Sequence, residues 1–101
     1  MTSSATDRSG EPPEGEGHRF ELFHRLGDPA CARIRSRVTE LGLEAVGFFR
    51  NVGFDSHRAA FEERHGRVLP SIWDGGRLYE GEVACEVYVS DLGRTERQTG
   101  G

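Results

Sequence analysis

The sequence has few cysteines, no long apolar run and no tract of basic residues. Its two cysteines, Cys31 and Cys85, are too few for a disulfide framework, and we expect free thiols in a reducing cytosol. Together with the four histidines they follow no spacing typical of a zinc site, so we expect no bound metal. The net charge of -4 argues against a nucleic-acid partner.

The N-terminal segment lacks the apolar stretch of a secretory signal, and no segment reaches the length of a membrane span. We therefore expect a cytoplasmic protein without a membrane partner. Residues 1–17 are rich in Ser, Gly, Pro and Glu, which predicts a disordered acidic tail. We expect residues 93–101 to form a flexible C-terminal tail. Residues 18–92 are then predicted to form one folded domain.

The first half of this domain predicts a strand, a helix and a second strand. "RFELF" and "LEAVGFF" are typical of buried strands. Between them, Asp28 is a good N-cap, Pro29 suits the first helical turn and Gly42 stands at a C-cap position. The apolar stripe of this helix recurs at spacings of three, four and three residues, at Cys31, Ile34, Val38 and Leu41. One helix between two strands predicts a right-handed βαβ unit with parallel strands.

The second half predicts a helix and a hairpin. "FDSHRAAFEERHG" is typical of a helix capped by Asp55 or Ser56, with Phe54 as a hydrophobic staple and Gly66 as terminator. "VLPSIW", "DGG" and "RLYEG" predict a strand, a tight turn and a strand. "EVACEVYV" alternates like a strand, which we favour from periodicity, although a thin helical stripe also fits it.

Over residues 19–92 the chain resembles the glutaredoxin family of the thioredoxin-like fold. The family motif "F-S-K-P-G-C-P-Y-C" aligns without gaps with the stretch from Phe23 to Cys31, and Leu69-Pro70 aligns with the family's Val-Pro pair. The resemblance implies an α/β fold, a three-layer thioredoxin-like sandwich with a mixed four-stranded sheet in the element order β-α-β-α-β-β-α. It also implies a cis Leu69-Pro70 bond and a final helix, against the periodicity.

The chain departs from the family at the attacking cysteine, whose position is taken by Asp28; Cys31 occupies the second, resolving position. An N-cap carboxylate accepts the helix amides that would stabilise a thiolate, and its negative charge favours the protonated thiol. Cys31 therefore has two interpretations, a buried core thiol or a redox-active thiol, and it is our candidate catalytic residue. It could pair with Cys85 only if their Cα atoms lie within about 7 Å.

The resemblance also implies a glutathione site. Arg25 aligns with the lysine that holds the glycine carboxylate, although an exposed loop arginine explains it equally well. The backbone before a cis proline binds an extended thiol ligand, which adds Leu69 and Pro70. The family's acidic residue falls on Val83, with Glu82 as a substitute beside the closing glycine, Gly81.

Two functions follow. The first is a glutaredoxin-like protein without dithiol oxidoreductase activity that retains a thiol or glutathione site, because disulfide exchange needs a thiolate that Asp28 cannot supply. The alternative is a non-catalytic protein-interaction module that uses the groove beside Pro70. Alkylation of the intact protein separates them, since only the first requires an accessible Cys31.

Overall fold

The computed structural model describes residues 18–100, so the predicted tail at residues 1–17 lies outside the described part of the chain. Within it lie four strands, three α-helices and one short 3₁₀ helix, Glu44–Val46. In chain order the main elements are β1 (Phe20–His24), α1 (Pro29–Glu40), β2 (Gly47–Asn51), α2 (Asp55–Glu63), β3 (Ser71–Trp73), β4 (Leu78–Glu80) and α3 (Glu82–Gly100). The predicted α/β class is confirmed; the sequence did not predict the 3₁₀ helix.

The four strands form one mixed sheet in the order β2-β1-β3-β4. β1 and β2 are parallel, as expected for the βαβ unit, and Leu22 pairs with Phe49. β3 is antiparallel to both β1 and β4. The sheet is therefore built from one parallel unit and one hairpin.

Each face of the sheet carries its own apolar cluster, since successive side chains of β1 point to opposite faces. Phe20 and Leu22 pack with the buried residues of α1 and α3, among them Ile34 and Val89. Phe23 packs on the other face with the α2 residues Ala60 and Phe61 and with Val52. The domain thus has three layers, α1 and α3 above the sheet and α2 below it.

The signals around α1 are confirmed. The Asp28 side chain accepts the backbone N–H groups of Ala30 and Cys31, as an N-cap does. The C-cap is Leu41, and Gly42 follows it at φ 71°, a conformation that glycine adopts without strain. Local capping chemistry fixes both ends of this helix.

The predicted ends of α2 were wrong. Its N-cap is Phe54, no side chain caps it, and Phe54 is exposed rather than packed as a staple. At the other end His65 takes the positive φ, 63°. Gly66 has a different role, because a Cβ there would lie 2.1 Å from Cε1 of Phe61. The glycine lets the chain pass close to that ring.

The hairpin and the cis Leu69-Pro70 bond are as expected. Within the turn, Gly75 has a positive φ, 104°. Asp74 Oδ1 accepts the N–H groups of Gly76 and Arg77 at 2.9 and 2.8 Å. The aspartate side chain therefore closes the turn.

The last segment is a helix, as the resemblance implied, so the strand favoured from its periodicity was wrong. Cys85, Val89 and Leu92 recur at helical spacing and are buried, whereas Val83 and Val87 are exposed. The helix continues to residue 100, so the predicted domain boundary after Leu92 falls inside it. Among the described residues, no helix is long and apolar enough to cross a bilayer.

Candidate functional site

The candidate site residues lie along one edge of the sheet. Because β1 and β2 are parallel while β3 runs the other way, the ends of β1, β2 and β4 and the start of β3 meet at this edge. We call it the strand-end edge, comprising residues 25–28, 52–54, 67–70 and 81–83. It carries Arg25, Leu69, Pro70, Gly81 and Glu82, and Cys31 lies just behind it in the first turn of α1.

Cys31 is fully buried. The Cys31 Sγ accepts the Arg25 backbone N–H at 3.4 Å. The Cys31 backbone N–H donates to Asp28 Oδ1 at 3.3 Å. Burial raises the pKa of the Cys31 thiol, and this effect outweighs the lowering by the hydrogen bond from the Arg25 N–H; the Asp28 carboxylate adds a smaller increase. This environment favours a protonated thiol with no access to solvent.

Cys85 is also a buried, free thiol. Its Sγ donates to the Tyr79 carbonyl oxygen at 3.6 Å. Burial raises the pKa of Cys85 to about 12, with smaller contributions from Cys31 and Glu82. The two thiols are therefore electrostatic neighbours but are not joined in a disulfide.

Glu82, the expected partner of a ligand amine, is engaged within the protein. Its carboxylate accepts two hydrogen bonds from Arg33, at 2.5 Å from Nε and 2.9 Å from Nη2. The same pairing lowers the pKa of Glu82. A ligand amine would have to displace a two-point contact that links α1 to α3.

Hydrogen bonds tie the loop before β3 to Glu80, the last residue of β4, and to Gly81, which precedes α3. Gly81 N–H donates to the Pro70 carbonyl oxygen at 2.8 Å, and Gly81 has a φ of 96°. Glu80 Oε1 accepts the N–H groups of Arg67 and Val68 at 2.9 and 3.1 Å. Gly81 thus acts as a junction that positions the cis-proline loop.

Leu69 differs from its neighbours. Within residues 18–100 no hydrogen bond uses its backbone N–H or C=O. Its side chain packs on the Phe23 cluster below the sheet, so the backbone is held in place. Arg25 is exposed, and its guanidinium forms no hydrogen bond or ion pair with any described residue. Both positions are available to a ligand.

Four of the large apolar side chains exposed on the described domain lie on the strand-end edge. They are Leu26 (63% exposed), Phe54 (62%), Val68 (48%) and Val83 (78%). They come from four separate chain segments, so no sequence period could reveal the patch. Sequence analysis had assigned Phe54 to a staple and Val83 to a repeating stripe. Exposed apolar side chains grouped at one edge are a common feature of binding surfaces.

Sequence analysis also missed a buried charged cluster on the α2 face. Glu21 is fully buried in β1, and its carboxylate accepts hydrogen bonds from Arg50 at 2.9 Å and Arg64 at 3.3 Å. Arg50 Nε donates to His57 Nδ1 at 2.9 Å. The only available signal was an acidic residue inside the apolar run "RFELF". Its pairing with two arginines makes it a structural element.

His24 ends β1 on the α1 face and is buried. Its Nδ1 lies 3.1 Å from Arg35 Nη1. Burial, with smaller contributions from Arg35 and His57, lowers the pKa of His24 to about 4. The imidazole is therefore neutral at physiological pH. No group of three or more His, Cys, Asp or Glu residues suited to a metal ion occurs in the described part of the chain.

No protein-family model matches the chain, and no curated protein matches it either.

Proposed function

We propose that this protein is a non-catalytic interaction module with a thioredoxin-like, glutaredoxin-related fold, and that its strand-end edge binds an extended peptide segment beside Pro70. The main support for this proposal is that the backbone N–H and C=O of Leu69 form no hydrogen bond with a described residue, while exposed apolar side chains lie on the same edge. The strand order β2-β1-β3-β4 and the cis Leu69-Pro70 bond support the fold assignment.

An extended peptide can pair with the Leu69 backbone and can also cover the exposed apolar side chains of this edge. Its backbone offers one N–H and one C=O to pair with those of Leu69, as in strand addition. Its alternating side chains can cover the apolar groups on either side, Val68 and Leu26 on one and Val83 on the other. Burying apolar surface gives affinity, while the backbone pair fixes the direction of the peptide.

The thiols argue against an oxidoreductase. Exchange with a disulfide requires an accessible thiolate, and Cys31 is buried with a raised pKa. Asp28, at the position of the missing attacking thiol, supplies a helix cap. The residues that would carry redox chemistry thus have structural roles.

A second candidate is binding of glutathione without thiol exchange, and the free Arg25 guanidinium favours it. Arg25 could pair with the glycine carboxylate while Leu69 pairs with the cysteinyl backbone. The Glu82–Arg33 pair works against it, since the carboxylate meant for the ligand amine is already engaged. Glutathione would therefore bind more weakly than a peptide that needs no such contact.

The test is an amide NMR titration with an acetylated hexapeptide of alternating valine and serine. We expect shifts at Val68, Leu69, Gly81 and Val83, and loss of binding when the central peptide nitrogen is methylated. Glutathione is titrated in parallel. Shifts with glutathione alone would select the second candidate, and no shift with either ligand at millimolar concentration would overturn both.

Side-chain variants locate the patch. Val83→Ser should weaken the hexapeptide about tenfold, since removing a buried valine contact costs about 1.5 kcal/mol. Val87→Ser is the matched control, because Val87 is 56% exposed and lies one helical turn farther from the edge. Equal affinities of the two variants would contradict the placement of the peptide.

A further inference from the structure

Strand β2 leaves one side of the sheet open. Among the described residues it hydrogen-bonds to β1 alone, and its five-residue register contains no bulge. It is longer than β4, the three-residue strand at the opposite edge. Open edge strands are normally protected from further pairing by proline, lysine, a bulge or an inward-pointing charged residue. The segment GFFRN of β2 contains no proline or lysine, and its one inward-pointing charge is Arg50.

The one charged residue of β2 does not oppose a second strand. Arg50 is buried, pairs with Glu21 at 2.9 Å, and places its guanidinium over the Phe23 and Phe48 rings on the α2 face. Its charge is thus compensated inside the domain. If a second strand paired with β2, the Arg50 charge would therefore not face that strand without its counter-ion.

A cleft between β2 and α1 follows this open edge. It is lined by Phe49, the central residue of β2, and by one face of α1. We call that face the outer stripe; its members recur at helical spacing and are Ala32, Arg35, Ser36, Thr39 and Glu40. The core-facing residues of the same helix are Cys31, Ile34 and Val38, so the outer stripe has no role in the domain's own core.

The outer stripe is complementary to itself. When two copies of a helix pack antiparallel about a two-fold axis between residues 37 and 38, Arg35 meets Glu40 of the second copy and Ser36 meets its Thr39. The axis generates each contact twice, which gives two opposite-charge pairs. Both side chains also have a contact within the domain, since Glu40 Oε1 accepts from Arg37 Nη1 at 3.1 Å and Arg35 Nη1 lies 3.1 Å from His24 Nδ1. The Glu40–Arg37 pair is at the surface, with the Glu40 side chain 62% exposed, and it uses only one carboxylate oxygen, so the other can accept from Arg35 of the second copy.

We propose that two copies of this chain form a symmetric dimer through this edge, with β2 antiparallel to β2 of the second copy and α1 beside its counterpart. Paired strands lie about 4.8 Å apart, and helices that cover them approach to the 8–10 Å typical of packed helices. The sheet then continues across both copies as eight strands.

This association goes beyond the peptide site and leaves it open. Because the two β2 strands run in opposite directions, the strand-end edges of the two copies point away from each other. A dimer would therefore present two peptide sites at opposite ends. A partner with two suitable segments could bind such a dimer with increased avidity.

The test is sedimentation equilibrium of the full chain from micromolar to millimolar concentration, with a charge-swap series. We expect the wild-type chain to dimerise, and we expect Arg35→Glu and Glu40→Arg each to weaken dimerisation about tenfold at low salt. The double variant, Arg35→Glu with Glu40→Arg, restores both pairs across the axis and should return close to the wild-type constant.

Glu63→Arg is the matched control, an exposed reversal on α2 that should leave dimerisation unchanged. Concentration-dependent hydrogen-exchange protection of the outward amides of β2 gives a second readout that does not depend on charge. A monomeric wild-type chain at millimolar concentration would overturn the proposal. So would a dimer that the single reversals do not affect, or a double variant no tighter than the single ones.

Discussion

Asp28 Oδ1 accepts the Cys31 backbone N–H at 3.3 Å, so the carboxylate that begins α1 also lies beside the buried thiol. The same oxygen accepts the Ala30 N–H at 2.9 Å. One residue thus closes the helix and helps to raise the pKa of Cys31. The two effects can be separated, because asparagine caps a helix without carrying charge.

Asp28→Asn should lower the pKa of Cys31 with little change in stability, since it keeps the cap and removes the negative charge. Asp28→Ala removes both and should cost about 1 kcal/mol of unfolding free energy. The measurement is a thiolate absorbance titration in a Cys85→Ala background, with urea unfolding alongside. An unchanged Cys31 pKa in the asparagine variant would show that Asp28 does not act on the thiol.

Iodoacetamide at neutral pH should modify neither cysteine of the native protein, because both side chains are fully buried and have raised pKa values. The rate should rise steeply with denaturant, as opening of the fold becomes the limiting step. Mass spectrometry of the alkylated peptides assigns the site. Rapid, selective labelling of Cys31 in the absence of denaturant would instead favour a retained thiol function.

The protein should lose stability as the pH falls from 6.5 to about 4, the ordinary and folded-state pKa values of His24. In this range the unfolded chain binds a proton at His24 that the folded chain does not, so lowering the pH favours unfolding. The slope from one such group is at most about 1.4 kcal/mol per pH unit.

Urea unfolding of the wild type and of His24→Gln at several pH values isolates this contribution, because the other titrating groups are common to both proteins. The variant should have the shallower dependence between the two pKa values. If both curves had the same slope, His24 would titrate alike in the folded and unfolded chains.

Glu21→Gln should destabilise the domain by about 3 kcal/mol, because it leaves the buried guanidiniums of Arg50 and Arg64 without their carboxylate. Glu96→Gln is the control. The Arg19–Glu96 pair is exposed, so its loss should lower the unfolding free energy by only about 0.5 kcal/mol. Urea unfolding measures both. Similar losses in the two variants would mean that burial does not strengthen the Glu21 cluster.

Gly47→Ala should destabilise the domain by about 2 kcal/mol, the range of overpacking in a core. A Cβ at this position would lie 2.4 Å from Cζ of Phe20, a fully buried ring with little room to move. Gly76→Ala has open space around its Cβ and serves as the control. Thermal unfolding compares them, and an alanine at 47 that melts like the wild type would show that the ring yields.

Most of the fold could be predicted because its signals are local. Asp28, Pro29 and Gly42 bound α1 through interactions within a few residues, and the hairpin depends on a short turn between apolar runs. Periodicity mispredicted the final segment because Val83, Cys85, Val87 and Val89 alternate like a strand, whereas the family resemblance implied the observed helix. Only packing against α1 and the sheet shows which of them are buried.

Chain order and local chemistry determined most elements of this protein and the helix cap at Asp28. Tertiary structure alone decided that Leu26, Phe54, Val68 and Val83 share one edge, that Glu82 is held by Arg33, and that Glu21 lies buried between two arginines. The physical reason is the separation along the chain of the residues that interact. Capping and turn formation involve neighbours in sequence, whereas a surface patch or a buried ion pair depends on how distant segments meet once the sheet has formed.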